Sequence, residues 1–249
     1  MGHERLGTLP KTKPWRAIAT ALAEGARDAE NTRAVIRSTL QQVRGRFLSL
    51  ASEEPALTAV RFLAGLSRGA STTNTTSREW DSIEITRELR RALSVAESNP
   101  EHIELLYRAF SRGLVRWARH NSSGQQALFG RQSTDLWNAA AGGGGFSELA
   151  QYAFSSLTEL YVNYFLDRTA SQSLGNVDDS EAFRLRVALQ AEDAARNAFE
   201  TAKIAQSFAA GWFHKYCQGD GPTNQNVRAF LKKALSKINE ELRREQGPV

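Results

Sequence analysis

Residues 99–120, NPEHIELLYRAFSRGLVRWARH, decide the fold class. Asn99 offers a side-chain oxygen as a helix N-cap, Pro100 fits the first helical position, and Glu101 suits the positive end of the helix dipole. Ile103, Leu106, Phe110, Leu114 and Trp117 then recur at helical spacing along one side. Arg108, Arg112, Arg116 and Arg119 fall within an arc of about 80° almost diametrically opposite. The pattern predicts one amphipathic helix over 100–120, closed by the polar run NSSGQQ.

The same signature extends in both directions. Trp15, Ile18 and Leu22 follow Pro14 at helical spacing. Val35, Ile36, Leu40, Val43, Phe47 and Leu50 make one stripe, ended by EEP at 53–55, after which Leu57, Val60, Leu63 and Leu66 make another. The Ser/Thr-rich loop RGASTTNTTS at 68–77 separates these from a helix over 80–97, with Ile85, Leu89, Leu93 and Ala96 facing inward. One or two short helices are predicted within 125–141, then a helix over 146–168 that is apolar on more than one face. A long alanine-rich helix reaches about Tyr216, and Val227, Leu231, Ala234, Ile238 and Leu242 define the last one. No segment shows the period-two alternation of a strand. The expected fold is therefore all-α, eight or nine helices in one or two packed helical bundles. The glycines at 142–145 divide an N-terminal helical region, 1–141, from a C-terminal helical bundle, 142–249; one continuous domain is the other arrangement.

Composition narrows the setting. The chain has 249 residues, 41% hydrophobic and 24% charged, as in an ordinary globular protein able to bury a substantial core. Its single Cys217 excludes an intramolecular disulfide framework and fits a reducing compartment. Charges stand where a signal peptide needs its apolar core, and Leu6 replaces the Ser or Thr of a myristoylation signal. The most apolar long window contains Glu148, Gln151, Glu159 and Asn163, too polar to span a bilayer. A cytoplasmic protein without a membrane span is expected. The net charge of +5 is mild and leaves an anionic partner open.

The glycines invite a test. In AAAGGGGFSELA, residues 139–150, a glycine run opens a helix, as phosphate-binding loops do. A Walker loop needs a preceding strand and a lysine after its last glycine, but Phe146 and Ser147 follow Gly145 here. The glycines therefore predict a flexible joint feeding an apolar helix, and no cofactor. His214 and Cys217 share a helix face, yet two ligands do not close a zinc site, and no metal is expected. Asp178 and Asp179 precede a helix, where capping explains them, and Glu192 stands four residues before Arg196 as a routine ion pair. No nucleophile, base and oxyanion site assemble, so the chain is not expected to be an enzyme.

The opening HERLGTLPKTKPWRAI, residues 3–18, is similar to uncharacterised bacterial proteins from phage-defence loci. The resemblance covers fewer than a tenth of the residues, assigns no residue a role, and implies a bacterial multi-protein system, antiviral defence included. The expected function is a non-catalytic protein-interaction or accessory subunit, with a protein partner or a second copy of the chain. Its interface is expected on the apolar helix at Phe146, Phe154, Tyr161, Tyr164 and Phe165. The alternative is nucleic-acid binding through basic helix faces, by Arg108, Arg112, Arg116 and Arg119 and by Arg228, Lys232, Lys233 and Lys237 of the last helix.

Overall fold

A computed structural model describes residues 9–23, 29–69, 82–96, 98–121, 139–173, 185 and 203–244. The described residues form eight α-helices and no strand: α1 (Lys13–Ala23), α2 (Ala29–Ser49), α3 (Glu54–Ser67), α4 (Ser82–Ser94), α5 (Pro100–Asn121), α6 (Gly142–Ser173), α7 (Lys203–Tyr216) and α8 (Asn224–Arg244). A 3₁₀ turn at Leu50–Ser52 joins α2 to α3, whose first turn contains Pro55. The protein is all-α. Most of the expected loop at 68–77, the short helices at 125–141 and the first half of the alanine-rich helix lie outside the described residues.

The local signals act as their chemistry requires. Asn99 Oδ1 accepts the backbone N–H of Glu101 at 2.9 Å, which caps α5 where Pro100 begins it. Ile85, Leu89 and Leu93 of α4 are buried, as are Leu106, Phe110, Leu114 and Trp117 of α5. Among the described residues no helix is long and apolar enough to cross a membrane.

Helix α6 is the centre. It packs against α5, α7, α1, α3 and α2, while α8 closes over α2, α3, the 3₁₀ turn and α7. A helix surrounded in this way must be apolar on several faces, the property its sequence displays. Its aromatic residues serve two clusters in succession. Toward its start, Phe146 stacks on Trp212 and Phe213, and both Phe146 and Phe154 reach Phe230 of α8. Farther along, Tyr161 meets Phe47, and Phe165 meets Trp15. One apolar core thus draws residues from both sides of the glycine run.

The glycines are not a flexible joint. They form the first turn of α6, with Gly142 at φ +75° and Gly143 and Gly145 buried. A Cβ on Gly145 would stand 2.1 Å from the Ala140 carbonyl oxygen, so the chain doubles back too tightly for any side chain. Gly113 has the same role between helices. Its missing Cβ lets α5 approach α6 until only 2.6 Å would separate that atom from Ala153 Cα.

Candidate functional site

The contact between α5 and α6 encloses Glu159, the buried charged side chain among the described residues. Glu159 lies in the middle of α6 and its side chain is wholly buried. Its carboxylate accepts hydrogen bonds from Arg112 at 2.6 Å and Arg116 at 3.2 Å. The arginines stand one turn apart on α5, so one carboxylate can bridge both. Such a charge is tolerable in a core only when paired and hydrogen-bonded. Nearer the end of α5, Trp117 donates its indole N–H to Glu148 at 3.1 Å.

Toward the start of α5 the two helices leave a cleft of about 280 Å³. Leu105 and Leu160 give it an apolar floor, and Tyr164 and Asn163 line its wall. Glu101, Glu104, Arg108 and Asp167 complete the lining. The Tyr164 hydroxyl donates to Glu101 at 3.1 Å and accepts from Arg168 at 3.3 Å, with the same guanidinium over the ring. Burial raises the Tyr164 pKa above the usual phenol value, the Glu101 hydrogen bond adds to the rise, and Arg168 opposes it. The phenol therefore stays protonated and keeps its direction as a donor. Asn163 Oδ1 is buried without a hydrogen-bond partner. Arg90 of α4 supports the rim, pairing with Glu104 at 3.4 Å and lying over the Tyr107 ring at 4.5 Å.

Against this geometry the expected interface needs correction. Phe146, Phe154, Tyr161 and Phe165 are enclosed by the chain's own helices, each at most 1% exposed. Their aromatic faces are covered by Trp212, Phe230, Phe47 and Trp15 and cannot meet a partner. Tyr164 alone of the five is half-buried, in the wall of the cleft.

The basic residues divide in the same manner. Arg112 and Arg116 serve Glu159, Arg108 is exposed at the cleft, and Arg119 is exposed near the end of α5. Helical spacing puts all four on the polar side of α5, because Ala109 and Gly113 carry too weak an apolar signal to announce a second buried face. On α8, Arg228, Lys232 and Lys233 are exposed, whereas half-buried Lys237 pairs with Glu240 at 2.8 Å.

His214 and Cys217 do not form a reactive pair. His214 is exposed, Cys217 is buried, and burial pushes the Cys217 thiol up to about 11, with Arg68 opposing weakly. At pH 8 about one thiol in a thousand is then ionised. Native protein should react with a disulfide reagent far more slowly than urea-unfolded protein at pH 8. Equal rates would show an accessible, activated cysteine. Among the described residues no group of three or more His, Cys, Asp or Glu is placed to hold a metal ion.

In the sequence Glu159 stands out only as a polar interruption of an apolar window. A carboxylate midway along a helix with apolar residues on either side was itself a signal, because once buried it demands a cation from a neighbouring element. Comparison with protein families, with characterised proteins and with solved structures finds no match for this chain.

Proposed function

We propose that the protein is a non-catalytic helical interaction subunit, an accessory of a bacterial multi-protein system, and that its partner protein docks at the cleft between α5 and α6. The observation carrying this reading is the anatomy of the cleft. An apolar floor at Leu105 and Leu160 is ringed by Glu101, Glu104, Arg108 and Asp167. Protein interfaces are built this way, with an apolar centre and a polar, charged rim. The volume suits one inserted side chain, and the buried acceptor on Asn163 would reward a donor at its tip. Antiviral defence is the setting suggested by the resemblance of residues 3–18.

Size-exclusion chromatography with light scattering, then affinity capture from the source organism, tests the reading. The expected result is a specific partner, or a second copy, whose binding is weakened at least tenfold by Glu104→Lys with Arg108→Glu. Both residues are exposed, so the double variant should keep its helical circular dichroism. A strictly monomeric protein that captures nothing, or a partner indifferent to the rim, would overturn it.

A further inference from the structure

A second surface, remote in character from the cleft, lies on α8 and the elements at its start. Between Asn224 and Asn239 the helix carries Arg228, Lys232, Lys233 and Lys237 and no acidic residue. Arg228 and Lys232 are exposed one turn apart, which puts their stems about 6 Å from one another along the axis. Lys233, also exposed, lies over the Phe208 ring at 4.6 Å.

Helix α3 extends this basic edge. Arg61 donates to the Asn224 side chain at the first residue of α8 and pairs with Glu54 at 3.2 Å. Arg68, two turns farther along α3, donates to the Gly219 carbonyl in the connection between α7 and α8. In α3, and from the connection through Asn239 of α8, Glu54 and Asp220 are the acidic residues, against Arg61, Arg68, Arg228, Lys232 and Lys233; Glu240 and Glu241 follow in the last turns of α8. The cations of α5 are different, since Glu159 holds two of them and Glu104 stands four residues before Arg108, whereas no acidic residue lies within four positions of Arg228 or Lys232.

The edge also lacks what a protein partner would require. The large apolar side chains exposed among the described residues are Ile83, Val95 and Leu185, and none belongs to α3, α7 or α8. Protein interfaces take most of their affinity from a desolvated apolar or aromatic centre. A row of exposed cations without such a centre suits a regular polyanion bound by charge. We infer that the α8 edge binds nucleic acid through its phosphate backbone, without sequence preference, with Arg228 and Lys232 as the principal contacts. Exposed Arg68 extends the same track toward the connection between α7 and α8.

Fluorescence anisotropy with a labelled duplex of about 20 base pairs, in about 50 and 200 mM NaCl, tests this. Three phosphate contacts predict a loss of about 40-fold in affinity between the two salts, and four predict about 150-fold. Arg228→Glu with Lys232→Glu should weaken binding at least tenfold at the lower salt. Arg87→Glu with Arg119→Glu, exposed on α4 and α5 and identical in net charge change, should alter it less than threefold. Circular dichroism checks that both variants fold. No binding at the lower salt would overturn the inference, as would equal weakening by the two variants. Competition by polyglutamate as strong as by unlabelled duplex would assign the edge to an acidic protein instead, and would equally overturn it.

Discussion

Replacing Arg112 and Arg116 together with methionine should cost about 3–5 kcal/mol of unfolding free energy, as expected when a buried charge loses its partners. Glu159→Gln should cost less, about 1–3 kcal/mol. The asymmetry follows from where the charges sit. The Glu159 side chain is 0% exposed, whereas those of Arg112 and Arg116 are 38% and 21% exposed. Two arginines without their carboxylate can turn toward water, but the carboxylate without its arginines cannot. Urea unfolding of the variants measures the difference. Adding Glu159→Leu to the double methionine variant should recover most of the loss, because an apolar side chain then fills the site. Equal costs for the two variants, or no recovery, would contradict the assignment.

Gly113→Leu should be comparably severe, about 3 kcal/mol or more, because overpacking here cannot be relieved by turning a side chain. The atoms within reach of a new Cβ are backbone: Ala153 Cα at 2.6 Å and Ala153 N at 2.7 Å. Gly113→Ala gains about 1 kcal/mol of helix propensity, yet it should still lower stability on balance because α5 must move off α6. Removing the opposing methyl with Ala153→Gly should not rescue it, since that methyl is not what the new atom meets. A stabilised Gly113→Ala protein would show that the helices are farther apart than 2.6 Å from Cβ to Cα implies.

These two results concern the part of the molecule that the sequence announced least. Helices were legible because leucine, isoleucine and phenylalanine mark a buried stripe clearly, and the capping of α5 by Asn99 could be read to the residue. The centrality of α6 was also legible, since Leu149, Phe154 and Leu166, all buried, fall on different sides of it. What occupies those sides was not. Whether an apolar face meets its own chain or another depends on packing between elements distant in sequence, and periodicity carries no such information. The second face of α5 stayed hidden because its contact residues are small or charged: Ala109 and Gly113 register as neutral, Arg112 and Arg116 as solvent-facing. The glycine run misled for a related reason. Several glycines read as flexibility, but Gly145 marks a place with no room for a side chain.

Helix α6 has one more consequence, for the order in which the molecule can be completed. Trp15 waits for Phe165, Phe47 for Tyr161, and Phe110 for Phe154. On a ribosome adding about 5–20 residues per second, the 150 residues from Trp15 to Phe165 take about 8–30 s. Throughout that interval the apolar sides of α1, α2, α3 and α5 have only one another to cover them. The sixth of the helices among the described residues closes what α1 to α5 left open, so birth order and burial order run in opposite directions. A chain released before residue 165 leaves with its hydrophobic interior still facing the cell.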